Sequence, residues 1–164
     1  MARPCLRWPD RRLRMVAAPV ATVDEAVLRI WTEIIEVMEA MPGVGLAAPQ
    51  IGEIQALAVI NASEVREQVV RMANPVILHA SVQRRAHEEA SPCLPGVSAV
   101  IERPRAVTVR FLNDAGETEE RDFVGLWATS VQHQIDHLQG RMYFDRLSKV
   151  KRDMLLRRAR KLAV

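Results

Sequence analysis

A chain of 164 residues, 49% of them hydrophobic, is long enough to bury one core and too short for two domains of ordinary size. Its apolar stretches are interrupted by charges and residues 1–10 hold no apolar run, which argues against a membrane span or a secretion signal and predicts a cytoplasmic protein. Two cysteines, Cys5 and Cys93, are too few for a disulfide framework, so Cys93 is free for other chemistry.

The first predicted helix covers residues 23–41. Thr22 and Glu25 have the spacing of a capping box, and apolar residues then recur at helical intervals. Pro42 and Gly43 interrupt the pattern, so the helix is expected to end before them.

The middle of the chain is predicted to form a sheet. Its β-prone runs lie at residues 56–60, 69–73 and 106–112, with a partner strand near 118–123 after a turn at 113–116. Helical patterns return over residues 126–139 and 149–162. This order of elements indicates an α+β fold, and the absence of repeats and linkers indicates a single domain over residues 1–164.

The predicted C-terminal helix is basic, although the net charge of the chain is only +3. Its cations face a single acid, Asp153, and are Lys149, Lys151, Arg152, Arg157, Arg158, Arg160 and Lys161. Such a helix can bind an anionic partner such as RNA, or it can be an ordinary solvated face. The sequence leaves both interpretations open.

His133 and His137 stand four residues apart in the predicted helix over residues 126–139. They would lie one turn apart on one face, where two imidazoles can bind one metal ion, although paired helical histidines are more often core or surface residues. In hydrolases of the HExxH type, a glutamate after the first histidine takes a proton from metal-bound water. Gln134 stands at that position, and an amide can bind a water but cannot shuttle its proton.

The segment GVGLAAPQIG, residues 43–52, combines glycines that permit unusual backbone shapes with small residues that permit close packing. Gln50 is its most informative residue. A side-chain amide held by such a loop can donate a hydrogen bond to an oxyanion, or it can satisfy buried backbone groups. The spacing favours neither role over the other.

GVGLAAPQIG and QHQIDHLQG, residues 132–140, together resemble the first and third signature motifs of peptide deformylases. Residues 6–10, 73–75 and 144–147 agree as well, so the resemblance covers nearly the whole chain. It implies a small fold in which the HxxxH helix packs centrally against antiparallel strands. It also implies that the formyl-methionine terminus of a nascent peptide enters beside Gly45, and that Fe²⁺, Zn²⁺ or Ni²⁺ is bound by one cysteine and two histidines.

The resemblance also assigns roles to individual residues. The expected substrate-binding residues are Val44, Gly45, Leu46, Glu89 and Ser130. The expected reaction centre consists of Gln50, Gln134 in place of the family glutamate, His133 and His137, with Cys93 or alternatively Ser91 as third metal ligand. Thr129 and Ser130 stand where the family commonly has apolar residues, which predicts a more polar pocket.

The second motif departs from the family pattern Glu-Gly-Cys-Leu-Ser-x-Pro-Gly, since this chain reads EASPCLPG over residues 89–96. Aligned without gaps, Ser91 takes the ligand position, and Cys93 falls about 6–7 Å further along if the segment is a strand. A metal–sulfur bond is only about 2.3 Å long, so Cys93 could not bind the metal from there. It could do so only if the strand slipped by two residues. Pro92 follows the ligand position, where the family uses a backbone N–H to hold the formyl oxygen, and proline has none.

Three functional hypotheses follow. The favoured one is a deformylase-like protein that binds a peptide terminus or a small ligand, with deformylation impaired or lost and a divalent ion weakly bound or absent. The second is an active metallohydrolase that uses Cys93, or Ser91 with water, and takes Glu88 or Glu89 as its base. The third is a ribosome-associated factor that docks through the basic helix over residues 149–162.

Overall fold

The computed structural model describes residues 3–163, and the secondary structure within that range consists of three α-helices, seven strands and three short 3₁₀ turns. The helices are α1 Glu25–Ala40, α2 Gly125–Leu138 and α3 Lys149–Leu162. The strands are β1 Gly45–Ala47, β2 Leu57–Ile60, β3 Val70–Ala80, β4 Arg84–Glu89, β5 Ala99–Pro104, β6 Ala106–Leu112 and β7 Thr118–Val124. The turns are Arg11–Arg14, Ala48–Ile51 and Tyr143–Arg146.

The strands form two antiparallel sheets. Five of them pair in the order β1-β2-β3-β6-β7, and β4 and β5 form a separate two-stranded sheet. Helix α2 packs against β1, β2 and β7 of the large sheet and also contacts β5 of the small one. The predicted α+β fold, with antiparallel strands around a central HxxxH helix, is therefore confirmed.

Helix α1 begins at Glu25, two residues later than predicted. The side chain of Asp24 accepts a hydrogen bond from the backbone N–H of Val27 at 3.0 Å and so provides the N-cap. The apolar face of α1 is buried against the large sheet, where the indole of Trp31 donates to the carbonyl of Met72 at 3.1 Å. Here periodicity identified the helix, and the capping side chain set where it starts.

Helix α2 is unusual because every residue from Ala128 to Leu138 is buried, including seven polar ones. The buried polar residues are Thr129, Ser130, Gln132, His133, Gln134, Asp136 and His137. Buried polar groups need hydrogen-bond partners, so the position of α2 depends on polar contacts as well as on apolar packing. This helix supplies one wall of the site described below.

Strands β1, β4 and β5 are not among the predicted elements. The β4 sequence RRAHEE alternates in burial but contains no apolar run, so its hydrogen bonds to β5 decide its conformation. Strand β4 ends at Glu89, and the residues that follow form turns instead of continuing the strand. The strand geometry assumed for Ser91 to Cys93 is therefore wrong.

No helix within residues 3–163 is both long enough and apolar enough to cross a membrane.

Candidate active site

A cavity of about 430 Å³ lies between the segment before β1, the end of β4 and one face of α2. Its wall contains eight of the eleven predicted site residues, namely Val44, Gly45, Gln50, Glu89, Ser91, Ser130, His133 and Gln134, together with Glu88, Pro92 and Thr129. Leu46 does not contribute to the wall. Because successive side chains of a strand point to opposite faces, Gly45 faces the cavity and Leu46 is fully buried in the core against α1.

His133 and His137 lie one above the other on α2, with their Nε2 atoms 3.2 Å apart. Two nitrogens of a tetrahedral metal site with bonds of 2.0–2.1 Å would be about 3.3–3.4 Å apart, so this pair can supply two ligands. Burial, reinforced by the neighbouring His133, lowers the pKa of His137 well below its usual value. His137 is therefore neutral, and its Nδ1 has no partner among the described residues.

The orientation of His133 is set by Glu89. Nδ1 of His133 donates to Oε1 of Glu89 at 2.8 Å, because an ionised carboxylate can only accept. Burial opposes ionisation of Glu89, but hydrogen bonds from His133 and Arg103 outweigh it and lower the pKa of that carboxyl. The contact with Glu89 thus places a ring proton of His133 on Nδ1, and its Nε2 faces His137.

Arg103 on β5 joins this arrangement to the other side of α2. Its Nε and Nη2 donate to both oxygens of Glu89 at 2.6 and 2.9 Å, and its Nη1 donates to Asp136 at 2.9 Å. Arg146 also pairs with Asp136, through two contacts of 2.8 Å. Arg103 is only 1% exposed, so one buried cation holds two buried anions. The sequence did not reveal these contacts, because a lone arginine in a polar strand carries no signal of its partners.

Cys93 lies outside the cavity wall. The backbone N–H of Leu94 donates to the carbonyl of Ser91 at 3.0 Å, which closes a tight turn, and the Cys93 N–H donates to Oγ of Ser91 at 3.2 Å. The turn directs the thiol into a separate apolar cluster that includes Tyr143 and Phe144. Burial raises the pKa of Cys93 despite hydrogen bonds that oppose the shift, so the group is a neutral thiol.

Gln50 connects the loop of the first motif to this turn. Its Oε1 accepts from the backbone N–H of Ala47 at 2.9 Å, and its Nε2 donates to Sγ of Cys93 at 3.6 Å. The amide therefore satisfies a buried backbone group and a buried thiol at once. These two bonds satisfy buried groups, and the second N–H of the amide leaves the oxyanion role open as well.

Gly45 is in close contact with α2. A Cβ at this position would lie 2.6 Å from Oγ of Ser130 and 2.7 Å from Nε2 of Gln134, so these side chains would have to move. Ser130 also donates to the carbonyl of Val44 at 2.8 Å, a bond that such a movement would break. Glycine is thus favoured at position 45 by contact with the polar face of the helix.

The donor atoms around the histidines do not complete a metal site. Among residues 3–163, no group of three or more His, Cys, Asp and Glu side chains is arranged to hold a metal ion. The histidine pair has the separation that two ligands require, but Sγ of Cys93 is hydrogen-bonded to Gln50 and Oγ of Ser91 accepts from the turn. A Cys-His-His set is not formed in this conformation.

Glu88 and Glu89 are the two carboxylates that the sequence offered as general bases. Glu89 is committed to Arg103 and His133, so it has no free oxygen position for general-base work. Glu88 lies on the cavity wall, is exposed, and accepts from Oγ of Ser98 at 2.6 Å. Of the two acids that the sequence offered as alternative bases, only Glu88 is free to act on a bound molecule.

Comparison with known proteins identifies the family. The polypeptide deformylase family profile matches residues 2–153. Peptide deformylase 1 of Burkholderia multivorans is 39% identical over 157 residues, which span 96% of this chain and 87% of the relative. A crystal structure of a peptide deformylase from Legionella pneumophila superposes with a TM-score of 0.93 at 36% identity, covering 99% of this chain and 96% of the other. A Met-ala-ser bound class I type b peptide deformylase from Acinetobacter baumannii gives 0.84 at 27% identity, covering 90% and 99%. With a match over nearly its full length in both sequence and fold, this chain belongs to the polypeptide deformylase family.

Proposed function

We propose that this protein binds the N-terminus of a peptide in the cavity beside α2 and removes a formyl group from it slowly or not at all. The observation that carries this proposal is that, within residues 3–163, no three His, Cys, Asp or Glu side chains are arranged to hold a metal ion, while the Cys93 thiol is hydrogen-bonded to Gln50 and buried in an apolar cluster. Two imidazoles alone supply half of a tetrahedral shell, and the neutral hydroxyl of Ser91 is a poor substitute for a thiolate. A divalent ion would therefore be weakly bound or absent.

The second support is the absence of a proton carrier at position 134. Gln134 lies on the cavity wall next to His133, where the resemblance to deformylases calls for a glutamate. Its amide can orient a water or a peptide group, but it cannot accept and return a proton near neutral pH. Loss of a general base typically lowers a rate by a factor of about 10²–10⁴.

The third support is the set of hydrogen-bond donors available to a formyl oxygen. Pro92 lies on the cavity wall and has no backbone N–H to donate. The amide of Gln50 donates one of its two N–H groups to Cys93, so one N–H remains. A developing negative charge on the formyl oxygen would thus have fewer donors to stabilise it.

The decisive measurement compares this chain with a variant in which the family pattern is restored. The variant carries Ser91→Cys, Pro92→Leu, Cys93→Ser and Gln134→Glu, and both proteins are assayed anaerobically on formyl-Met-Ala-Ser with added Fe²⁺, Ni²⁺ or Zn²⁺. The unmodified chain should have a kcat/KM at least about a hundredfold below that of the restored variant. Turnover by the unmodified chain within tenfold of the Burkholderia relative would contradict the proposal.

An active metallohydrolase is the second candidate, and it is favoured by the 3.2 Å separation of the histidine Nε2 atoms. It requires Cys93 to leave Gln50 and enter the cavity, or Ser91 and a water to complete the ligand set, with Glu88 as the base. Cys93→Ser separates the two candidates. The substitution should abolish any turnover that depends on the thiol, and it should leave the slow rate unchanged under the first proposal.

A contact with the ribosome is a separate proposal, which α3 supports. Its exposed cations are Lys149, Lys151, Arg157, Arg158, Arg160 and Lys161, and among these six only Lys149 pairs with an acid of the described residues, Asp153, at 3.1 Å. Binding to ribosomal RNA should weaken steeply between 50 and about 200 mM salt if several phosphates are contacted. Binding that is independent of salt would remove the basis for this role.

A further inference from the structure

We infer that the cavity recognises an unformylated N-terminus, whose α-ammonium group is free, in preference to a formylated one. This inference rests on the proposed function, namely that the cavity binds peptide termini without efficient turnover. It goes further by naming the chemical class of the ligand.

The charge on the cavity wall favours a cation. Glu88 and Glu89 both contribute to the wall, and within the described chain no lysine or arginine does. Glu89 is neutralised by Arg103, whereas Glu88 has only the hydroxyl of Ser98 as its partner. The wall therefore has one uncompensated negative charge, which attracts an α-ammonium group and gains nothing from a neutral formamide.

Two polar side chains at the bottom of the cavity offer acceptor oxygens to a ligand. Gln134 is 4% exposed, and its Oε1 has no hydrogen-bond partner among the described residues. Its Nε2 lies toward Gly45, on the strand side of the cavity. Ser130 uses its proton on the carbonyl of Val44, so its oxygen can only accept from a ligand. An ammonium group brings three donors to these acceptors, and a buried acceptor left unpaired is unfavourable.

A formylated terminus has the opposite requirements. Its added carbonyl oxygen needs donors, whereas Pro92 offers no N–H and one of the two N–H groups of the Gln50 amide already donates to Cys93. Formylation also removes the positive charge that Glu88 would attract. The same substitutions that remove the deformylase chemistry thus change which form of the peptide end the cavity can satisfy.

Calorimetric titration with three matched peptides tests this inference on the full-length protein. The peptides are Met-Ala-Ser, formyl-Met-Ala-Ser and a desamino analogue in which the α-amino group is replaced by hydrogen. Met-Ala-Ser should bind at least about tenfold more tightly than either peptide that lacks an α-ammonium group, because hydrogen bonds to a charged group are among the stronger ones. Equal or tighter binding of formyl-Met-Ala-Ser overturns the inference.

Two variants localise the effect. Glu88→Gln removes the uncompensated charge from the wall and should reduce the preference for Met-Ala-Ser to less than about threefold. Glu102→Gln is the matched control, since Glu102 is exposed on β5 and lies outside the wall, and it should keep the full preference. An unchanged preference in the Glu88 variant overturns the assigned role of that carboxylate.

The outcomes distinguish this inference from the function on which it rests. Tighter binding of the formylated peptide without hydrolysis contradicts the inference alone. Rapid hydrolysis of the formylated peptide contradicts the proposed function, whichever peptide binds more tightly. If none of the three peptides binds, both the inference and the proposed peptide-binding role are wrong.

Discussion

The two sides of the cavity are built in different ways. On the α2 side, the histidines are held by a buried chain of charged groups that runs from His133 through Glu89 and Arg103 to Asp136. On the other side, the turn after β4 is held by its own backbone, by Ser91 and by contacts from Gln50 and Trp8, and it joins that chain only through Glu89, two residues before Ser91. The histidine geometry is therefore set mainly by contacts that the side chains at positions 91–93 do not make. In such a scaffold the spacing of the two histidines can be kept while the turn that would supply the third metal ligand changes.

The largest effect is expected from removing Arg103, the cation that holds the α2 side of the cavity. Arg103→Met leaves Glu89 and Asp136 buried without their shared partner, although Arg146 still contacts Asp136. The free energy of unfolding should fall by about 3–5 kcal/mol in urea denaturation, the usual loss when one partner of a buried ion pair is removed. Arg121→Met, which removes an exposed pair with Glu119, is the control and should lose less than about 1 kcal/mol. Equal losses would show that the buried chain does not hold α2.

The contact between β1 and α2 can be tested at a glycine. Gly45→Ala places a methyl group 2.6 Å from Oγ of Ser130, so Ser130 must turn away from the Val44 carbonyl or β1 must shift, at a cost of about 1–3 kcal/mol in unfolding free energy. Gly43→Ala is the matched control, because a Cβ there meets its nearest neighbour at an ordinary 3.6 Å. Thermal or chemical unfolding of the two variants should differ by more than about 1 kcal/mol. A stable Gly45 variant would mean that β1 is free to move away from the helix.

Repairing one side of the cavity alone should restore little activity. Gln134→Glu supplies a proton carrier on α2, but Ser91 and Pro92 still lack the ligand and the oxyanion donor. The rate on formyl-Met-Ala-Ser should therefore rise by less than about tenfold, a change below about 1.4 kcal/mol in activation free energy. A full recovery from this one substitution would show that the turn already provides what the reaction needs.

The smallest expected effect concerns the segment after α2, where Asp145 accepts from Arg14 and from the backbone N–H of Met142. Burial opposes ionisation of Asp145, but these hydrogen bonds outweigh it and lower the pKa of its carboxyl. A lowered pKa stabilises the folded state at pH values above the unfolded pKa of about 3.9, and this contribution is lost as the pH falls through the folded pKa. Asp145→Asn should thus cost about 1 kcal/mol at pH 7, a figure already reduced for partial exposure, and little below pH 3. A pH-independent difference in unfolding free energy would point to lost packing instead.

The sequence determined the helical elements and the family of this protein. Helix α3 begins and ends where the pattern placed it, and α2 lies within one residue of its predicted bounds, since helices are encoded by local periodicity and caps. The sequence also located Ser91, Pro92 and Gln134 as departures from the deformylase motifs, because those motifs are short and contiguous.

Only the tertiary structure decided how those residues are used. Strand β4 is polar and the apolar run of β5 is only three residues long, and the two strands exist because they pair with each other, which no local pattern reveals. The direction of Cys93 follows from a turn and from its contact with Gln50, which is 43 residues away in sequence. Arg103 lies 14 residues from Glu89 and 33 from Asp136, and a single sequence cannot show that it joins them. Local chemistry thus fixed which groups the site could contain, and contacts between distant segments fixed which of those groups face the cavity.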